Sequence, residues 1–508
     1  MNSNAIAPLS LVSAALLYLG CSLAPPPELP DPAREMPADF EETPAAVTVG
    51  AHVPLQWWKA FADPALDRIV DSVLDSNLDM AAAVARVEQA RERARIARAA
   101  IRPVVAAGAG INDLTNPTNT GFGAQIQELG LERLAPGFTL PERLAITTWS
   151  LSADFSYEMD FWGRASSSAL AAGAEYLASE SDYQTARIGI LAETIGAYFE
   201  VVDFRRRIAI SRRMVDVLLE REDVASTRYD RGLADSSVLY RIRQDLRNTQ
   251  AIQPQLENGL ANAEGRLAVL LGGYRNDLAE LLPEPLAPET AADPVPPGIP
   301  ADLLMQRPDV RAARHRLEAA RFQVDARRAE LLPTLSFSGS IGLQSSKVDS
   351  LFKVDQWFTN LASNLLAPVF QGGRLRSNVA LAEARFGELA ATYGRTVVTA
   401  VNEVETALAV HGNEGRRHAL LASRLEEARA TERLRSQRYE AGIGGYADFL
   451  DALLTRLNVE SALAGAERDL ALSRLTVHRA LGGAWTPEAS AGEAPPAQAS
   501  PQPAPQTE

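Results

Sequence analysis

The chain has 508 residues, 46% apolar and 22% charged, a balance that excludes a disordered polymer. Fifty Lys and Arg against 64 Asp and Glu leave a net charge of −14, which argues against a nucleic-acid partner, since that needs a basic surface. One cysteine, Cys21, excludes a disulfide framework and a Cys-based zinc site, and five scattered histidines (His52, His315, His411, His418, His478) leave little for metal or triad chemistry, so neither metal nor cofactor is expected.

Residues 1–20 read as a signal peptide, with a short apolar core, IAPLSLVSAALLYLG, at 6–20. Cys21 follows directly after Gly20, an arrangement that resembles a bacterial lipobox and makes Cys21 the expected site of acylation, palmitate included. The match departs at Tyr18, three positions earlier, and in the absence of Lys or Arg from 1–20. A plain signal peptide with an incidental cysteine is the alternative. Residues 21–54 then form a lipidated, extended tether rich in Pro and Glu. No later run of eighteen apolar residues predicts a transmembrane helix, which leaves a β-barrel open.

The body of the chain is a duplication. Arg228-Tyr229-x-x-Gly232 recurs as Arg438-Tyr439-x-x-Gly442, Leu271-Gly272-Gly273 as Leu481-Gly482-Gly483, and Gly163-Arg164 as Gly373-Arg374, all 210 positions apart. Upstream the lag is 230: Asp79, Arg86, Glu88 and Pro103 match Asp309, Arg316, Glu318 and Pro333. The first repeat covers 55–273, with a hairpin at 103–162, a long helix, a tip at 228–238 and a return helix. Residues 274–302 form a linker. The second repeat covers 303–485, with a hairpin at 333–372 and a tip at 438–451, and 486–508 is a disordered Pro/Ala/Glu tail.

In 150–161 the odd positions Leu151, Ala153, Phe155, Tyr157, Met159 and Phe161 are apolar and the even ones polar, the period of a strand with one greasy and one wet face. Residues 334–343 alternate likewise. About ten residues per strand suits a membrane barrel, although a sheet over a soluble core would show the same pattern. Residues 113–145 and 344–356 read as the connecting loops. From Arg164 to Arg228 and from Arg374 to Arg438 run 64 steps each, helices of roughly 95 Å at ~1.5 Å per residue. Leu191, Ile195, Tyr198 and Val202, and Val397, Val401, Val404 and Leu408, repeat in steps of 4, 3 and 4, as in a coiled coil. Gly232 to Gly272 is 40 steps and Asp79 to Pro103 is 24, so two short helices stacked end to end match one long helix. Gly232 and Gly442 read as left-handed helix caps. Four strands cannot close a barrel and lipid tolerates no open edge, so copies of the chain would have to combine.

These elements resemble the outer-membrane factors, the TolC-type outer-membrane efflux proteins, in their lipid-anchored branch. The likeness covers roughly 55–485. It is carried by Trp57-Trp58 with Phe61-x-Asp63-Pro64, Tyr157-Glu158-x-Asp160-x-Trp162-Gly163-Arg164, Arg307-Pro308-Asp309-Val310, Pro368-x-Phe370-x-x-Gly373, Glu403-Val404-Glu405 and Leu481-Gly482-Gly483-x-Trp485. The resemblance implies a mixed α and β fold: a trimeric transmembrane β-barrel, four strands per chain, continued by a long α-helical coiled-coil barrel. It implies a homotrimer in the cell outer membrane, lipid-anchored, extending into the periplasm and docking to a periplasmic adaptor protein and an inner-membrane pump. The implied function is a passive, non-enzymatic export duct of a tripartite efflux or secretion system.

The resemblance also implies a periplasmic gate at Arg438, Tyr439, Asp448 and Asp451, with tip turns at Arg228, Tyr229, Gly232 and Gly442. Asp448 and Asp451 share one helix face, and three chains would bring six carboxylates to one axis. The pattern departs at Gly444 and Val238, with Asp235 a possible substitute acid. Spacing alone also allows Asp448 to cap a helix and Asp451 to complement its dipole. A periplasmic helical adaptor or scaffold without a barrel is the alternative function. A hydrolase built on Asp154 and Glu158 lacks any converging base, nucleophile and oxyanion donor.

Overall fold

The computed structural model describes residues 37, 40, 56–117, 142–282 and 307–483. Cys21, the tether and the C-terminal tail lie outside the described residues apart from Pro37 and Phe40, as does the linker from 283 onward. The described chain divides into two units. One comprises Ala90–Tyr176 and Arg316–Leu389; the other comprises Leu177–His315 with the residues up to Gln89 and those from Ala390.

The first unit holds a four-stranded antiparallel sheet in the order β1 (Val104–Pro117), β2 (Arg143–Met159), β3 (Thr334–Ser345), β4 (Trp357–Leu366). The two hairpins of the two repeats therefore pair with each other through β2 and β3. Opposed residues in an antiparallel pair share a face, so the register sorts the side chains. Ala109, Leu151, Leu343 and Trp357 form one cross-strand row; Ala107, Ala153, Ile341 and Thr359 form the next; Val105, Phe155, Gly339 and Leu361 form a third. The opposite face carries Ala106, Asp154, Ser340 and Asn360, with Val104, Ser156, Ser338 and Ala362 beside it. Gly342 sits on this face because a Cβ there would lie 2.2 Å from the Leu151 carbonyl oxygen. β1 and β2 extend to Pro117 and back to Arg143, so the flanks of the expected 113–145 loop are strand. The Thr147 hydroxyl bonds Asp113 at 3.1 Å across this extension, and Pro117 is tolerated because β1 is an edge.

The corner after β2 explains the Tyr157–Arg164 motif. Arg164 pairs with Glu158 at 2.9 Å, Asp160 accepts the Ala165 and Ser166 N–H groups at the start of the next helix, and Trp162 donates to the Pro333 carbonyl at 2.7 Å. Gly163 makes the turn at φ +74°.

The helices follow the duplication. A 3-10 turn, Trp57–Phe61, leads to α1 (Pro64–Ser76), whose N-cap is Asp63 with Pro64 at the first helical position. Next come α2 (Leu78–Ala99), α3 (Arg164–Asp230), α4 (Ser236–Leu270) and a short α5 (Leu278–Leu281). The second repeat supplies α6 (Pro308–Ala329), α7 (Arg374–Glu440) and α8 (Tyr446–Ala480). Equivalent helices have equal lengths: 22 residues in α2 and α6, 67 in α3 and α7, 35 in α4 and α8.

Helix ends meet in the second unit, and both repeats build the junction. Asn77, just before α2, donates to the Leu270 carbonyl at the end of α4 at 2.7 Å, and the Ser76 hydroxyl bonds the Leu271 carbonyl at 2.8 Å. At the equivalent place Arg307, just before α6, donates to the Ala480 carbonyl at 2.8 Å. Orphan carbonyls of one helix thus find donors at the start of the next. Arg307 is buried and also pairs with Asp309 at 2.6 Å and Glu403 at 2.8 Å. The main core joins the Trp57–Phe61 turn and α1 to Leu191, Ile195, Tyr198 and Val202 of α3 and to Leu267 of α4. Trp57 and Trp58 anchor it; Trp57 stacks on the buried His478 ring at 5.1 Å. No helix among the described residues is long and apolar enough to cross a membrane.

Candidate functional site

Two places in the fold are candidates for function: the sheet and the helix tips. In the sheet, β1 and β4 each leave one edge without a strand partner among the described residues. On the alternating faces Val105, Ile111, Ile341, Leu361 and Leu365 are exposed to solvent in the single chain. A sheet of this kind is incomplete as a soluble object, because it shows open backbone edges and a wide apolar surface together.

At the tips the Arg-Tyr-x-x-Gly repeat is a Schellman turn, made twice. Gly232 N–H bonds the Tyr229 carbonyl and Leu233 N–H the Arg228 carbonyl, both at 2.8 Å, and Gly442 and Ile443 bond Tyr439 and Arg438 in the same way at 2.9 Å. Gly232 and Gly442 stand at φ +71° and +74°, which closes α3 and α7 and sends the chain into α4 and α8. The N-caps of the return helices differ. Asp235 caps α4 through the Ser237 N–H at 2.7 Å, whereas α8 begins at Gly445 with no side-chain cap. Asp448 is therefore not a capping residue; it lies in the first turn of α8, where an acid suits the helix dipole. Asp235, which the sequence offered as a substitute for the acid absent at Val238, also serves as the cap of α4.

Asp451, one turn further along α8, pairs with Arg221 of α3 at 2.6 Å. Tyr446 bonds the Glu220 carboxylate through its hydroxyl, stacks on Phe449 at 5.9 Å between ring centres, and lies 4.8 Å from the Tyr439 ring. The Glu220 hydrogen bond, with partial burial behind it, pushes the Tyr446 phenol up to about 12, so it stays a donor at neutral pH. The structure thus joins Tyr439 and Asp451 through their neighbours, while Asp448 makes no ion pair among the described residues, and Arg438 contributes its carbonyl. Beneath these contacts Ile210, Val217 and Leu218 of α3 pack on Leu450, Leu454 and Leu457 of α8.

Sequence reading did not single out Arg221, Glu220 or Tyr446. Their partners lie more than two hundred positions away, and spacing carries no trace of such pairs. In a different pair the duplication repeats the acids but not their partners, since Arg243 and Arg456 are 213 positions apart. Glu222 and Glu432 are 210 apart, and each holds an arginine of its own return helix, Arg243 at 2.7 Å and Arg456 at 2.6 Å.

The family model described as outer membrane efflux protein matches residues 69–273 and 299–483. Outer membrane protein OprJ of Pseudomonas aeruginosa is 31% identical over 483 residues, covering 93% of this chain and 96% of OprJ. The solvent efflux pump outer membrane protein SrpC of Pseudomonas putida is 30% identical, covering 94% of this chain and 98% of SrpC. Among solved structures, the outer-membrane channel OprN superposes with a TM-score of 0.78 at 27% identity, over 92% of this chain and 100% of that chain. The duplicated helices, the four-stranded sheet and these matches agree: the chain belongs to the outer membrane efflux protein family and is an outer-membrane efflux channel component.

Proposed function

We propose that three copies of this chain form the passive exit duct of a tripartite efflux system. Each contributes four strands to a twelve-stranded barrel, and the duct is gated at the helix tips by Asp448 and Asp451, with Tyr439 and Arg438 supporting the turn. The observation that carries this reading is the sheet itself. Its edges β1 and β4 need partners, one face carries Leu151, Phe155, Ile341 and Leu361 while the other carries mainly small polar side chains such as Ser152, Asp154, Ser340 and Asn360, and lipid accepts such a sheet only as part of a closed ring. The small hydroxyl and amide side chains of Ser150, Ser152, Ser156, Ser338 and Asn360 then face the water-filled side. A periplasmic adaptor and an inner-membrane pump supply selection and energy, since the sequence carries no nucleotide-binding motif. Cys21 carries the lipid anchor, and mass spectrometry of the mature N-terminal peptide tests that assignment.

Asp451 is already paired within its own chain, so the carboxylate left to meet its symmetry mates at the axis is Asp448. Close like charges repel and attract cations, which makes Asp448 the cation-binding member of the gate. Planar-bilayer recording of the purified protein tests the proposal. Discrete conductance steps are expected, sensitive to divalent cations and larger in Asp448→Asn. A protein that conducts neither as wild type nor with Asp448 and Asp451 both replaced by Asn overturns it.

A further inference from the structure

The chain has three lysines in 508 residues, and two of them, Lys347 and Lys353, fall in the loop between β3 and β4. That loop is folded by its own hydrogen bonds. The hydroxyls of Ser345 and Ser350 meet at 2.7 Å, Ser350 donates to the Lys347 carbonyl at 3.0 Å, and the Gln356 N–H bonds the Lys353 carbonyl at 3.1 Å. It contains two 3-10 turns, Val348–Ser350 and Val354–Gln356, each entered through an extended lysine and each reading Lys-Val-Asp. The loop holds its large apolar side chains out: Phe352 is 75% exposed, Val354 89% and Trp357, at its end, 62%. Neither lysine has an ion pair among the described residues.

Topology fixes where this patch lies. β3 leaves α6 at Thr334 and β4 returns toward α7 after Leu366, so the loop is at the end of the sheet away from the helices. Trp357 stands in the row of Leu343, Leu151 and Ala109, and Trp149 lies one row further along the same face, opposite Ser345. Two tryptophans in adjacent rows on the same face, at the end of the sheet next to the loop, mark the depth of a membrane–water interface, and the loop stands just beyond it.

We infer that the β3–β4 loop is a membrane-surface anchor that binds the anionic, phosphate-bearing headgroups of the helix-distal leaflet. Phe352 and Val354 enter the boundary between headgroups and acyl chains. Lys347 and Lys353 lay their methylene stems along the same boundary and bring their ammonium groups to lipid phosphates. Asp349 and Asp355 leave the loop without net charge, so the attraction is direct contact of ammonium with phosphate and not a long-range field. The inference rests on the channel reading, which alone puts this end of the sheet at a membrane surface.

The test titrates the purified full-length protein in detergent with fluorescent diphosphorylated lipid A, and with its dephosphorylated form as the control. Lys347→Gln/Lys353→Gln is expected to weaken binding of the phosphorylated lipid by about fivefold per lysine, roughly thirtyfold in all, with little change for the control. Phe352→Ser/Val354→Ser is expected to weaken both lipids. Unchanged affinity in the lysine variant overturns the inference, as does an equal loss for both lipids. Loss of the oligomer in either variant also overturns it, because the loop would then be a contact between copies. Oligomer size and bilayer conductance of the wild type are read on the same preparation. A conducting oligomer indifferent to the lysines refutes the loop's role alone, whereas a wild type that neither assembles nor conducts refutes the channel reading and the loop's placement with it.

Discussion

On the proposed gating, two polar contacts over an apolar seam within each chain favour the closed tip, and their removal should open it by a calculable amount. Arg221 and Asp451 meet at 2.6 Å, with the arginine side chain 16% exposed and the aspartate 58%. Because the aspartate is half in water, the pair contributes about 0.5–1 kcal/mol and not the value of a buried bridge. The Tyr446 hydroxyl on the Glu220 carboxylate is a charge-assisted bond in a similarly wet place and contributes about 1 kcal/mol. Asp451→Asn with Tyr446→Phe therefore removes up to about 2 kcal/mol from the closed tip, which raises the open population by roughly thirtyfold. Leu450 and Leu457, which are buried under the contacts, keep α8 on α3, so the fold persists and circular dichroism should show an unchanged helix content. Single-channel recording should show longer or more frequent open intervals in the double variant and intermediate values in each single one. An unchanged open probability, with both variants folded and assembled, would refute the claim that these contacts hold the tip.

Three further outcomes follow from packing and titration. Gly232→Ala meets no atom within 4 Å and should cost only the left-handed penalty, about 1 kcal/mol; Gly272→Ala would also drive its Cβ to 2.6 Å from the Ser76 carbonyl oxygen, so thermal melting should rank it clearly below Gly232→Ala. Arg307→Ala leaves the Ala480 carbonyl without its buried donor and takes the partner from Asp309 and the half-exposed Glu403, and should cost about 2 kcal/mol in denaturant titration, against about 1 kcal/mol for Asn77→Ala at the equivalent junction. His478 is buried against Trp57, and burial, with Arg474 and His411 nearby, lowers its pKa to about 3. The unfolded chain therefore binds a proton that the folded chain refuses between pH 6.5 and about 3, so stability is full above that window and falls by about 1.4 kcal/mol per pH unit within it on acidification. Melting curves of His478→Phe should flatten that acid slope, and a slope equal to wild type would contradict the assignment.

The parts of this fold legible in the sequence are those set by local rules or by the duplication. Alternation over 150–161 is a local rule, and the register puts Leu151, Ala153 and Phe155 on one face and Ser152, Asp154 and Ser156 on the other. The equal steps between repeated glycines hold because each Schellman turn needs a residue at positive φ, and Gly232, Gly272, Gly442 and Gly482 supply it. The end-to-end stacking suggested by the spacing has its physical basis in Asn77 and Arg307, but the difference between those donors was not legible. The duplication keeps the position and not the chemistry: the first repeat satisfies the carbonyl with a neutral amide, the second with a guanidinium that also needs Asp309 and Glu403. Strand ends were misjudged because Asn116 and Pro117 are turn residues by propensity, yet β1 is an edge that accepts them. The tip was legible as a turn and not as a contact set. Asp448 resembles a cap by composition, but Gly445 holds the capping position, and nothing near Asp451 in the chain points to Arg221.

The central claim is that the open edges of β1 and β4 close on the edges of neighbouring copies. Cysteine pairs scanned along those edges, with Ala107→Cys on β1 against Asn360→Cys, Leu361→Cys or Ala362→Cys on β4, test it most directly in a background where Cys21 is retained as the control. A closed ring of three predicts that one or more pairs cross-link between chains and give a ladder that stops at the trimer. Cross-links confined to a single chain, or a ladder that continues past three, would contradict it.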